Sequence, residues 1–395
     1  MDSRIGENQI YTGIDLRDLN LLEKYRSTKT LPEAGFYIDF MGVKTRLSYF
    51  GLDGSGIDEK IGEVPFPDDG VHAEAIEYLA ALQAVETAGA TFTAVELGAG
   101  YAPWLTFSAK AAQRSGISQI HLLAVEADLE RHGLMKTHLA DNGLYFPPVT
   151  SSPEQNVKIE VVHAAVSDSN GTLKFDSQSL LDWGAAPVEG DSDVDYRGYA
   201  INPSEVNSLT IERAINDLDI IDFLHIDIQG YEYRAVLSSL EALRDKVRIM
   251  LIATHSRKIE GDLLDTLHEK GWRLIYEKPC KFERAPKGNL TALTTLDGTQ
   301  VWMNCKLEEK FKNLETIETV RLKRRREVEW LSGELATVRN LLSNERQKLN
   351  ILQEDLSAAL SRKEESTREL NDLYQSKSWK ITEPLRWFSS FVSRH

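Results

Sequence analysis

The 395-residue chain is 42 % hydrophobic, enough for one full globular core with material left for a non-globular segment. Its 46 basic and 61 acidic residues give a formal charge of -15, so the chain as a whole repels phosphate backbones and bulk electrostatic binding of nucleic acid is excluded. Two cysteines, Cys280 and Cys305, form neither a CxxC pair nor a disulfide framework. With no signal-peptide pattern at the start and no long apolar run, the expected location is the cytoplasm, with attachment to a membrane surface left open.

Residues 1–75 are expected to form a cap with a hairpin over Gly35–Phe50, where Tyr37, Asp39, Met41 and Val43 lead through Gly42 into Thr45-Arg46-Leu47. Residues 76–305 then alternate between helical and strand patterns. A helical stretch over Val71–Thr87 precedes a short apolar strand, Phe92–Leu97, stopped by Gly98-Ala99-Gly100. A helix through Trp104–Arg114 follows, then a strand at Ile120–Val125. Further strands are expected at Lys158–His163, Ile220–Asp227, Val247–Thr254, Trp272–Glu277 and Gln300–Asn304. This alternation predicts an α/β fold with a parallel sheet covered on both faces. Gly298, in Leu296-Asp297-Gly298-Thr299, is expected to turn a hairpin into the final strand, so that the last two strands pair antiparallel at one edge. The Gly-, Pro-, Asp- and Ser-rich stretch from Asp176 to Tyr199 reads as a long loop placed to cover the carboxyl ends of the strands.

Residues 306–373 shift to long charged and amide side chains with spaced leucines. Val328, Leu335, Leu342, Leu349, Leu356 and Leu370 share one heptad position; Leu331, Val338, Leu352, Ala359 and Leu373 share the other. The pattern predicts a coiled coil, interrupted at Glu345, Lys363 and Ser366, and a homo-oligomer built through it. Residues 374–395 form an aromatic and basic tail around Trp379, Lys380, Trp387 and Phe388.

Three clusters carry chemistry. In Val95-Glu96-Leu97-Gly98-Ala99-Gly100 an acidic residue inside a strand is followed by GxG, glycines that let the backbone turn sharply against a ligand. The third glycine of the dinucleotide fingerprint is replaced within Tyr101-Ala102-Pro103-Trp104, which disfavours a nicotinamide cofactor. Glu126 ends the next strand, before Ala127, where a carboxylate can accept both ribose hydroxyls. Capping of the next helix is the structural alternative. In Leu224-His225-Ile226-Asp227-Ile228-Gln229-Gly230-Tyr231-Glu232, His225 and Asp227 alternate onto one side of a strand end. They could bind a divalent cation, position an acceptor, or support neighbours; a cation is not predicted, because the sequence identifies no further ligands. One strand later, His255 in Thr254-His255-Ser256 is the general-base candidate, with a satisfied structural histidine as the alternative.

Together these stretches resemble the FkbM family of S-adenosylmethionine-dependent methyltransferases over roughly residues 90–305. Glu96 through Trp104 is similar to the family's cofactor loop, and Val125-Glu126-Ala127 to its ribose-binding position. His225 through Glu232 is similar to the stretch written Asp-x-Glu-Gly-x-Glu, with Gln229 replacing a glutamate. Thr254-His255-Ser256 and Asp297 through Asn304 match versions found in part of the family. The resemblance implies a seven-stranded Rossmann-like sheet, mostly parallel with an antiparallel edge strand, and S-adenosyl-L-methionine held by Glu96, Gly98, Ala99, Gly100, Trp104, Glu126, Ala127 and Asp227. It also implies oxygen methylation, often of sugars, for which His255 is expected as base, Asp227 as the orienting group and His225 as a third member. Tyr374 through Arg386 resembles the tail after coiled coils in many bacterial glycosyltransferases and glycan-modifying proteins. That company implies a surface-glycan hydroxyl as acceptor, a glycan-synthesis protein or the inner membrane surface as a contact of the tail, and no nucleic acid. A non-catalytic scaffold with the same fold is the competing reading.

Overall fold

The structure, a computed structural model, describes residues 9–27, 32–52, 64, 66, 72–144, 156–176, 187–188, 203–282, 294–314, 317–382 and 384–386. Its strands are β1 (Phe36–Ile38), β2 (Lys44–Arg46), β3 (Thr91–Leu97), β4 (Gln119–Glu126), β5 (Asn156–His163), β6 (Ala165–Val166) and β7 (Gly171–Phe175). There follow β8 (Ser204–Leu209), β9 (Ile221–Ile226), β10 (Val247–Thr254), β11 (Trp272–Lys278), β12 (Lys281–Phe282), β13 (Thr294–Leu296) and β14 (Gly298–Asn304).

Seven of them form one sheet in the order β11-β14-β10-β9-β3-β4-β5. All neighbours are parallel except β14, which runs antiparallel to both β10 and β11. Strand residues alternate between two faces: Ile249 and Leu251 join the core beneath the helix Ala75–Thr87, whereas Met250 and Ile252 join the opposite core with Trp272 and Trp302. Burial on both faces explains why these strands read as continuous apolar runs. The chain winds outward from β3 in one direction to β4 and β5 and in the other to β9 and β10, so the crevice between the carboxyl ends of β3 and β9 is a topological switch point.

Two expectations need correction. The last two strands of the sheet do pair antiparallel at one edge, but the strand that runs against the rest is not the outermost: β14 lies second from the edge, paired on both sides, with Gln300, Val301 and Trp302 essentially inaccessible, and β11 takes the outer position. Nor is Gly298 a hairpin turn. It is the first residue of β14, opposite Thr254, and a Cβ there would lie 2.1 Å from Glu260 Oε1 and 2.5 Å from Thr254 Oγ1. The glycine therefore permits close approach of strand and side chains.

The hairpin β1–β2 is antiparallel, and Asp39 holds its turn by accepting from the Met41 and Val43 backbone N–H groups. A separate three-stranded sheet, β6-β8-β7, follows β5. Most of the expected loop 176–199 lies outside the described residues; Pro187 bridges to Phe175. The helix Cys305–Leu314, inside the expected coiled-coil segment, packs on the sheet domain through buried Leu307 and through Phe311, over which the Arg248 guanidinium stands at 4.5 Å.

Two compact units divide after Trp330. The second contains most of a continuous helix, Ile317–Gln375, in which the large seam residues from Val328 to Leu373 are between 41 % and 64 % exposed. A short helix, Lys377–Ile381, follows, its Trp379 backbone N–H donating to Ser376 Oγ at 3.1 Å and its indole lying beneath Arg386 at 3.6 Å. Trp387, Phe388 and the rest of the tail lie outside the described residues. Among the described residues, no helix is long and apolar enough to cross a membrane.

Candidate active site

A cavity of about 270 Å³ opens at the switch point. Glu96, Gly98, Ala99, Gly100, Trp104, Glu126, Ala127, His225 and Asp227, expected as site residues from separate stretches, all line it.

The loop after β3 is held by its neighbours. Gly98 and Ala99 donate backbone N–H bonds to Val125 O at 2.9 and 3.1 Å, and Asp227 donates its own to Leu97 O at 2.9 Å. Gly98 has φ of +75°, and a Cβ there would lie 1.8 Å from the Asp227 carbonyl oxygen, so no other residue fits the crossing of the two strand ends. Glu96 turns its carboxylate toward the start of the helix Pro103–Arg114, accepting from Leu105 N at 3.0 Å and Trp104 N at 3.3 Å. Burial pushes its carboxyl up to about 8, although those two donors pull it down. Its immediate role is thus to fix the loop and the helix start. Glu126 braces the other side: Oε2 accepts from Gly100 N at 2.7 Å and Oε1 from Asp128 N at 2.8 Å. Each oxygen retains capacity for a further donor.

His225 sits beneath the loop, 3.7 Å from Glu96 Oε1 through Nδ1 and 6.0 Å from the Trp104 ring centroid. Both its ring nitrogens are buried with no hydrogen-bond partner among the described residues. Burial pushes its imidazole down to about 3, so it is neutral at physiological pH and offers one donor and one acceptor. Buried nitrogens beside a cavity are satisfied by a polar ligand or by water. The residues present fit the chemistry of S-adenosylmethionine: Glu126 would accept from a ribose diol, His225 would meet a polar group, and Ala127, Ala164, Ala165, Val166 and Phe175 offer an apolar wall.

Asp227 follows β9 and points into the same cavity, with Gln229 Nε2 donating to its Oδ1 at 3.0 Å. Burial raises its carboxyl to about 6; His255 lowers it, while Asp297 and Glu232 raise it further. His255, at the end of β10, does not line the cavity but stands behind Asp227, its Nε2 3.5 Å from Asp227 Oδ1 and 3.8 Å from Asp297 Oδ2. Its Nδ1 lies 2.9 Å from Oε1 of fully buried Glu232. Burial alone would lower His255, but Glu232, Asp227 and Asp297 outweigh it and push the imidazole up to about 10.

Glu232, Asp297 and Glu77 carry no sequence signal that assigns them to the site, and Gln229 is legible only as a departure from the family's glutamate. Glu232 and Gln229 belong to a stretch that was quoted, but their roles depend on a tight turn with Gln229 at φ of +52°. Glu77 reaches the cavity wall from the helix Ala75–Thr87, where the spacing signals only a capping box: its Oε2 accepts from Glu74 N at 3.1 Å. Among the described residues, Asp227, Glu232 and His255 are the group close enough to consider for a cation. Glu232 is a poor donor for one, since its oxygens already accept from Ile228 N, Gly230 N and the His255 ring.

Residues 88–274 match the Methyltransferase FkbM domain. A putative methyltransferase of Jannaschia sp. (strain CCS1) is 28 % identical over 253 residues, covering 62 % of this chain and 85 % of the relative. Among solved structures, an FkbM methyltransferase from Methylobacillus flagellatus KT superposes with a TM-score of 0.34 at 11 % identity, over 57 % of this chain and 54 % of its own. This chain thus spans about half of that protein. A precorrin-6y C5,15-methyltransferase from Geobacter metallireducens GS-15 gives 0.33 at 8 % identity, over 65 % and 97 %. The domain match and the relative agree on the chemistry: the chain carries an FkbM-like domain and is an S-adenosylmethionine-dependent methyltransferase.

Proposed function

We propose that this S-adenosylmethionine-dependent methyltransferase methylates a hydroxyl oxygen, that of a sugar in a bacterial surface glycan or its precursor. The observation that carries the oxygen assignment is Asp227, a carboxylate in the cavity wall at the end of β9, beside the loop expected to hold the cofactor. When bound, S-adenosylmethionine supplies an electrophilic methyl carbon on sulfonium sulfur. A hydroxyl is a weak nucleophile until its proton is taken up during attack. Asp227 is placed to accept that proton as the C–O bond forms and the C–S bond breaks, and the protein's remaining task is alignment of the oxygen with the methyl carbon. The base expected at His255 moves to Asp227, because His255 holds its own proton between three carboxylates and stands outside the cavity. His225 is assigned to the cofactor, since a neutral imidazole that deep is too weak a base.

The sugar class rests on the resemblance to FkbM methyltransferases and on the tail from Tyr374 to Arg386. The long helix is assigned to self-association through the exposed leucine seam, and the tail, with Ile381 75 % and Leu385 71 % exposed beside Lys380, to a membrane surface or a glycan-synthesis protein on the cytoplasmic side. Incubation with methyl-labelled S-adenosylmethionine and a panel of bacterial surface glycans tests the reading. Label retained through alkali as an ether on sugar is expected; label on nitrogen, or lost from an ester, would overturn it.

A further inference from the structure

We infer that Glu232 is a positioning residue that holds a positively charged His255 behind Asp227. Three features of the geometry carry this. Glu232 is 0 % exposed and receives backbone N–H bonds from Ile228 at 3.2 Å and Gly230 at 2.9 Å, so its carboxylate is fixed by the turn between β9 and the helix Glu232–Ser238. It faces His255 Nδ1 at 2.9 Å, which makes that nitrogen a donor and fixes the ring plane. The second nitrogen, Nε2, is buried with no hydrogen-bond partner among the described residues, and of these Asp227 at 3.5 Å and Asp297 at 3.8 Å are the carboxylates paired with it.

Charged neighbours therefore reach the imidazole from three elements: Glu232 from the helix after β9, Asp227 from the end of β9, and Asp297 from the residue before β14. All are carboxylates. A neutral ring there would leave buried Glu232 without a counter-charge and facing the two partly exposed carboxylates, whereas an imidazolium balances Glu232 and leaves its second nitrogen 3.5 Å from Asp227 Oδ1. Burial alone favours the neutral ring, and the carboxylates reverse that preference. The consequence for transfer, which rests on the methyltransferase reading above, is that Asp227 stays ionised at neutral pH despite its acidic neighbours and so remains able to take a proton.

The test is nitrogen NMR of the full chain labelled in its histidine rings, with the His255 signals assigned by loss in His255→Gln. In the wild type, both ring nitrogens of His255 are expected to remain protonated at about pH 8, where an unperturbed imidazole has lost its proton. In Glu232→Gln, which keeps an oxygen for the backbone donors, the titration should move down so that at least ten times less of the doubly protonated form remains at that pH. A singly protonated His255 in the wild type would overturn the inference, whether or not the variant folds. So would a Glu232→Gln protein, with S-adenosylmethionine affinity intact, in which His255 titrates unchanged. Neither readout uses an acceptor, so failure of the glycan assay and failure of this inference are separately visible.

Discussion

At the residue scale the account turns on Asp227, whose carboxyl is raised to about 6 by burial and by neighbouring carboxylates. Only its ionised form accepts a proton, so turnover should rise with pH through about 6 and fall away below it, measured as initial rate at saturating cofactor. Gln229 bears on the same group, because its amide N–H donates to Asp227 Oδ1 at 3.0 Å. Gln229→Glu removes the donor and adds a like charge, and should shift the rising limb to higher pH with little change in cofactor affinity. The departure from the family's glutamate thus has a chemical consequence that sequence comparison alone left blank. Gly98→Ala is expected to abolish cofactor binding by calorimetry and to destabilise the fold, since its Cβ would meet the Asp227 carbonyl at 1.8 Å. That glycine was legible, being part of a GxG turn after an apolar strand. The assignment of proton roles was not, because strand spacing places His225, Asp227 and His255 near one another without saying which faces the cavity.

At the element scale, the domain match from 88 to 274 contains the cavity residues proposed to hold the cofactor, among them Gly98, Gly100, Trp104, Glu126 and Asp227. The remaining wall comes partly from outside it: Phe50 from the N-terminal cap and Glu77 from the helix before β3. Flanking segments are therefore the expected seat of acceptor selection. Glu77→Gln should raise the acceptor KM by about 5-fold, the order of one lost hydrogen bond, while leaving S-adenosylmethionine affinity unchanged; an effect confined to the cofactor would refute that role. Strand positions could be read from apolar runs such as Ile120–Val125 and Val247–Thr254, which are buried on both faces. The order of strands could not. β14 separates from its neighbours in sequence and inserts between β10 and β11 because Val301 and Trp302 fill opposite cores, a pairing that local pattern does not encode.

For the whole molecule, the helix Ile317–Gln375 leaves its leucines in water within one chain. Burying such a side chain contributes roughly 1.5 to 3 kcal/mol, so a run of them favours association with another copy. Light scattering on the full chain should report a dimer or trimer at micromolar concentration, and a Leu342→Glu, Leu349→Glu double variant should report a monomer with methyl transfer preserved. The heptad spacing made this segment readable as a helix, whereas the docking of Cys305–Leu314 onto the sheet domain required knowing that Arg248 and Phe311 meet. The proposed transfer of the acceptor's proton to Asp227 is tested by single-turnover methyl transfer in wild type and Asp227→Asn with cofactor pre-bound. The account predicts a rate lower by about 10²- to 10⁴-fold in Asp227→Asn, with cofactor affinity within a few-fold of wild type. An unchanged single-turnover rate in Asp227→Asn would contradict it.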